Sequence, residues 1–184
     1  CHWVLAVSPL KAVVLCAMIA APIQAQEADM KLSPNWEYVA DTVMGGVSQG
    51  EARRETVAGR EAIRLTGAVS LDNNGGFVQI AFDLAEGRDF DASSYTGLVF
   101  PVLGNGETYD LRLRTRALNR PWQSFRACFV APGEWTEVRI PFNRFEAHRT
   151  DAQFDPATLR RIGILAIGKV MEADISVSDI GFYR

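Results

Sequence analysis

From residue 36 to its end the chain repeats one pattern, short runs of alternating apolar and polar residues separated by clusters of Gly, Asn, Asp and Pro. Residues 77–84 show it most clearly, because Val78, Ile80, Phe82 and Leu84 share one face of an extended chain. A period of two over this length is the mark of a half-buried strand. Residues 62–66 and 109–116 follow the same rule, and the strand-like runs 123–130, 135–142, 162–167 and 175–182 complete the series. Residues 97–103 are more densely apolar, and Pro101 within them predicts an edge or a bulge. Turn clusters fall at 72–76, 104–106 and 131–133, with Asn74-Gly75 the strongest hairpin signal. One short helical piece is predicted over 155–161, with Asp155 as N-cap and Pro156 at the first helical position. Many short strands without alternating helices define an all-β sandwich or barrel, here as one domain over residues 26–184.

The first 25 residues differ. Lys11 is the only charged residue before Glu27, and residues 12–21 form an unbroken apolar run followed by Pro22, Ile23, Gln24 and Ala25. That run is shorter than the ~20 residues a membrane span requires. It reads as a secretory signal peptide cleaved after Ala25, with a membrane anchor or a buried helix as the alternative. The expected product is an exported protein, periplasmic or secreted, with no transmembrane span in its mature chain. Of 19 basic residues only Lys11 leaves with the leader, so 18 face 22 acidic ones and the charge is −4. This balance lacks the basic footprint of a nucleic-acid binder. Cys1 and Cys16 also leave, so Cys128 stands alone, an intrachain disulfide is excluded, and a quietly packed thiol is expected.

The segment Trp36-Glu37-Tyr38-Val39-Ala40-Asp41-Thr42-Val43-Met44-Gly45-Gly46-Val47-Ser48 joins a short aromatic strand to a second strand through an acidic residue and paired glycines. It resembles the signature of the complex I intermediate-associated protein 30 (CIA30) family. Residues 67–77 and 135–145, the latter joined to 161–165, resemble that family's later blocks in the same order. The resemblance implies a jelly-roll β-sandwich of the galactose-binding-like type. It also implies a non-enzymatic binding or assembly role on a protein partner or membrane complex, since mitochondrial members help build the respiratory NADH:ubiquinone oxidoreductase. An export leader is a departure from those matrix proteins and separates this chain from that particular task.

Four positions in the signature, Asp41, Gly45, Gly46 and Ser48, are candidates for ligand or partner contact. The glycines either make a tight turn or bare their backbone N–H groups to a ligand between the polar ends Asp41 and Ser48. Asp72, Asn73 and Asn74 offer clustered oxygens to a hard cation, but only about half of the six or more it requires, and a hairpin turn is the simpler reading. Arg112, Arg114 and Arg116 recur at period two on the face that carries Asp110, while Leu111 and Leu113 point to the core. Arg126 and Arg139 extend this into a stripe if their strands are neighbours. A solvated outer face explains the stripe, unless Trp122 or Tyr109 lies beside it in a concave sheet, in which case it becomes a site.

Catalytic material is sparse. His148 is the only histidine after the leader and is expected in a water-facing loop. One His and one Cys cannot make a zinc cluster, and no Gly-x-Ser-x-Gly elbow occurs. Asp41 paired with Asp72 or Glu107 is the remaining hydrolytic option. The sequence therefore ranks three functions: a CIA30-type binding or assembly module without a cofactor, a carbohydrate-binding module, and a weak carboxylate hydrolase. The surroundings of Trp36, Trp122 and Trp135 separate the first two.

Overall fold

The computed structural model describes residues 28–184, so the predicted signal peptide, residues 1–25, lies outside the described residues. The strands are β1 (Met30–Lys31), β2 (Glu37–Ala40), β3 (Gln49–Val57), β4 (Arg60–Val69), β5 (Phe77–Asp83), β6 (Gly97–Gly104) and β7 (Thr108–Thr115). They continue as β8 (Ser124–Val130), β9 (Thr136–Pro141), β10 (Glu146–His148), β11 (Leu159–Ile167), β12 (Met171–Val177) and β13 (Gly181–Tyr183). They form two antiparallel sheets. One is seven-stranded in the order β1-β13-β6-β12-β4-β3, with β9 also on β6, and the other is six-stranded in the order β10-β8-β7-β11-β5-β2.

The period-two residues meet between the sheets. Val78, Ile80, Leu111, Leu113, Ile162 and Ile164 from the six-stranded sheet are fully buried, as are Leu65, Leu98, Phe100, Val102 and Ile175 from the other. At about 25 cal/mol per Å² of apolar surface, a leucine or phenylalanine buried this way contributes roughly 2–3 kcal/mol. This all-β jelly-roll sandwich is the predicted fold class.

Several local predictions are corrected. Asn74-Gly75 makes no hairpin: Asp72–Asn74 is a 3-10 turn, and β4 and β5 on either side of it belong to different sheets. The left-handed conformations fall instead on Asn73 (φ 56°) and Gly76 (φ 140°), which turn the chain from one sheet to the other. Pro101 lies on an interior strand. It sits where β6 changes neighbour, since β13 pairs as far as Val99 and β12 begins at Val102. Its missing N–H falls in that gap, and its carbonyl accepts from Ser178 N at 3.1 Å. The single strand expected over 175–182 is accordingly two, β12 and β13. The helix predicted over 155–161 shrinks to one 3-10 turn, Pro156–Thr158, because Leu159 already starts β11; Asp155 does cap it, accepting from Ala157 N at 3.0 Å. Cys128 is exposed rather than packed, since β8 turns it away from the core. No helix among the described residues is long and apolar enough to cross a membrane.

Candidate functional site

The signature segment folds into a latch. Asp41 opens a 3-10 turn, Asp41–Met44, and its carboxylate is completely buried. Its Oδ1 accepts from Ser48 N at 3.0 Å, and its Oδ2 accepts from Ser48 Oγ, from Gly76 N at 2.6 Å and from Phe77 N at 3.3 Å. Ser48 Oγ in turn accepts from Ser70 N at 2.9 Å. Burial pushes the Asp41 pKa up, but the hydrogen bonds from Ser48, Gly76 and Phe77 together outweigh it and hold the carboxyl below its ordinary value. The glycines fit this arrangement. Gly45 is left-handed at φ 87°, and a Cβ on Gly46 or on Gly75 would run into the Asp41 side chain. Of the sequence candidates, then, Asp41, Gly46 and Ser48 are internal, and Gly45 makes the exposed end of the turn.

Asp41, the first residue of the hydrolytic pair suggested by the sequence, thus spends its carboxylate on internal donors and is closed off from solvent. Glu107, its suggested partner, pairs with Lys169 at 2.7 Å. Asp72 and Asn73 are exposed on the crossover turn, and the Asn74 side chain lies outside the described residues. Among the described residues no three His, Cys, Asp or Glu side chains gather as metal ligands.

A cleft of about 1050 Å³ opens on the outer face of the six-stranded sheet. Register assembles it. Arg112 on β7 lies opposite Gly163 on β11 and Arg126 on β8. Leu165 lies opposite Gln79 on β5, and Ser124 opposite His148 on β10. Gly163 keeps the floor low, since a Cβ there would come within 3.0 Å of Gln79 Nε2. Val43, Met44 and Leu71 form an exposed apolar wall at the latch end, and Trp122, half exposed at 51%, lines the cleft from the connection between β7 and β8.

Arg112 and Arg114 thus reach the cleft together with Trp122, but with different tasks. Arg112 is mostly buried and donates to Asp110 Oδ2 at 3.1 Å. Arg114 is a positioning residue: its Nη1 donates to the carbonyls of Arg120, Pro121 and Gln123 at 2.8, 3.0 and 2.7 Å. Those three bonds fold the β7–β8 connection over the sheet and set Trp122 in place. Burial, then Arg161, lowers the Arg114 pKa. The rest of the expected stripe is corrected. Arg116 lies beyond β7 and pairs with Asp89 at 2.8 Å, and Arg139 is on β9 in the other sheet. His148 is not in a loop but in β10, half-buried in the cleft wall, because three residues of strand are too few to show a period. Gln79, Arg161 and Gly163 escaped sequence reasoning. Only Gly163 left a signal, a glycine inside an apolar strand, which marks a close approach.

Trp36 is half-buried, edge-on to Phe82 at 4.6 Å, and Trp135 donates from Nε1 to Val57 O at 2.9 Å. Both are structural, which leaves Trp122 as the solvent-facing ring of the three. A second hollow of about 830 Å³ lies against the seven-stranded sheet, between residues 32–36 and strands β3 and β4.

Two antiparallel sheets in this order, with a cleft across one outer face, define a galactose-binding-like β-sandwich. The chain belongs to the complex I intermediate-associated protein 30 (CIA30) family, whose profile matches residues 25–177. Solved structures similar in fold include a family 11 carbohydrate-binding module from Clostridium thermocellum in complex with a beta-1,3-1,4-mixed-linked tetrasaccharide. That pair has TM-score 0.69 and 12% identity, covering 85% of this chain and 96% of the module. A family 30 carbohydrate-binding module has TM-score 0.61 and 18% identity over 84% of this chain and 86% of its own. An exo-beta-agarase matches at TM-score 0.54 and 10% identity, over 82% of this chain and 24% of the enzyme. No curated protein matches the sequence.

Proposed function

We propose that the protein binds a carbohydrate chain in the cleft of the six-stranded sheet, without catalysing its breakdown. The observation that carries this reading is Trp122, half exposed inside a cleft that also holds Arg112 and Arg114. An aromatic face takes the C–H face of a sugar ring, while guanidinium and amide groups take its hydroxyls. The cleft is large enough for a ligand of several rings, and its floor is a rigid sheet. The carbohydrate-binding modules that share the fold lend support by analogy alone.

Titration of the protein with a panel of neutral and acidic oligosaccharides tests the proposal. Saturable binding is expected, weakened at least tenfold in W122A with an unchanged melting temperature. Absence of binding across the panel, or an unaffected W122A, refutes it.

A second reading is assembly of a membrane complex through a protein partner, the role that the family's name carries. The exposed wall of Val43, Met44 and Leu71 favours it, since clustered exposed apolar side chains mark contact surfaces. Recovery of a stoichiometric partner that V43D/M44D no longer binds supports this reading over the first. In either case residues 1–25 act as the export signal, and N-terminal sequencing of the protein from the cell envelope should begin at Gln26.

A further inference from the structure

The cleft is rich in donors and poor in acceptors. Its lining holds four guanidiniums, Arg112, Arg114, Arg149 and Arg161, together with His148, and no aspartate or glutamate. An arginine has five N–H donors and no acceptor. Internal partners satisfy only part of this supply. Asp110 takes Arg112 Nε and Nη2, and Asp83 and Glu37 take Arg161 from outside the lining. Arg114 gives only Nη1 to the loop carbonyls. The Gln123 side-chain oxygen, an acceptor in the wall, is already occupied by Asn119 N and Arg120 N.

The imbalance is greatest at the corner where β7, β8 and β10 meet. Arg149 is exposed just past β10, and Arg126 stands opposite Arg112. Glu146 is the cross-strand neighbour of Arg126, yet no ion pair joins them. Two residues from Arg126 on β8 and opposite His148, Ser124 is buried, and its Oγ has no hydrogen-bond partner among the described residues. The chain as a whole is acidic, with net charge −3, so positive charge collected in its cleft runs against the average.

We infer that the sugar this cleft takes is an acidic one, whose carboxylate or sulfate is held at the β7–β8–β10 corner by Arg112 and Arg149 with Arg126 behind them. An acid group supplies only acceptors, two or three within one planar or trigonal head, which is what a donor-rich corner lacks. Guanidinium forks match such heads in geometry as well as charge. A neutral sugar, by contrast, brings hydroxyl donors that find few acceptors in this lining. The inference rests on the carbohydrate reading and narrows it to anionic sugars.

The protein is titrated with tetragalacturonic acid, its methyl ester, a sulfated chondroitin disaccharide and a neutral mixed-linked β-glucan tetrasaccharide. The acid should bind at least tenfold more tightly than its methyl ester, and this margin should shrink in high salt. R149A, at an exposed site where folding is not at risk, should erase most of the margin, and R149K should restore part of it. Binding of the sulfated probe instead of the uronate supports the inference and identifies the acid group as sulfate. Equal binding of acid and ester, or a margin that survives R149A, overturns the inference and leaves carbohydrate binding intact. Binding of no probe overturns both.

Discussion

Replacing Asp41 by Asn tests whether the signature segment is a latch or a ligand site. The amide keeps the shape of the carboxylate but has one acceptor oxygen in place of two. Its better orientation keeps that oxygen at Oδ2, where three donors converge, and turns the NH2 group toward Ser48 N. One buried backbone N–H then faces another donor, at a cost of about 1–3 kcal/mol, and the remaining bonds lose their charge assistance. The total is about 2–4 kcal/mol. D41A strands the backbone donors of Ser48, Gly76 and Phe77 together, each at about 1–3 kcal/mol, and should cost about 3–5 kcal/mol or more. A domain of this size loses about 2–4 °C of melting temperature per kcal/mol, so D41N should melt roughly 5–15 °C lower. Urea unfolding should show a lower midpoint at an unchanged slope. Acid adds an independent check. Because the folded Asp41 pKa is depressed, its stabilisation is present above the unfolded value of about 3.9 and is lost as pH falls through the lower folded value. D41N should remove that part of the acid transition. Melting of D41N and D41A within a degree of the parent, with ligand binding abolished, would refute the latch and make Asp41 a contact residue.

Three further outcomes follow from the geometry. G46A places a Cβ against the Asp41 side chain, and the resulting overpacking should destabilise by about 1–3 kcal/mol in thermal melts. Tyr109, buried and pushed up to about 12 first by desolvation, donates to Asn105 Oδ1 at 2.7 Å and accepts from Asp174 N at 3.0 Å. Its unfolded form ionises first, so stability should fall as pH rises from about 10 to about 12, and Y109F should flatten that slope while costing about 1–2 kcal/mol at neutral pH. His148 has its pKa lowered by burial, then by Arg126, Arg112 and Arg149, with Asp110 opposing and Glu146 on its own strand. It is therefore neutral at pH 7, and binding of an acidic sugar should tighten as pH falls below the ordinary histidine value, an increase that H148A should abolish.

The strands were legible because each buries one face, and a period of two survives in any window that contains Val78, Ile80 and Phe82, or Leu111 and Leu113. What was not legible depends on neighbours distant in the chain. Pro101 signals an edge in isolation, and only the handover from β13 to β12 along β6 makes it harmless in the interior. Asn74-Gly75 signals a hairpin, yet the strand after it joins β11, some eighty residues away, rather than β4. The cleft is hidden for the same reason. Its floor draws on β5, β7, β8, β10 and β11, so Gln79, Arg112 and His148 become neighbours through sheet order and through nothing in their spacing. The paired glycines were readable as a turn, which the left-handed Gly45 makes, whereas the reason for Gly46, a carboxylate packed where a Cβ would be, required the fold.

The latch and the cleft are linked. Asp41 fastens the turn Asp41–Met44 to the start of β5, and that turn presents Val43 and Met44, 72% and 59% exposed, to the cleft. Arg114 does the same at the other end, fastening the connection that presents Trp122. In both cases a polar anchor, buried at Asp41 and half-buried at Arg114, fixes the backbone, and the exposed residues it presents take little part in stability. Exposed positions of this kind tolerate change within about ±0.5 kcal/mol, while the anchors do not. Under the proposed function, contact with the ligand falls to Trp122, Arg112, Arg149 and the Val43–Met44 wall, which all line the cleft, rather than to the buried part of the signature that identifies the family.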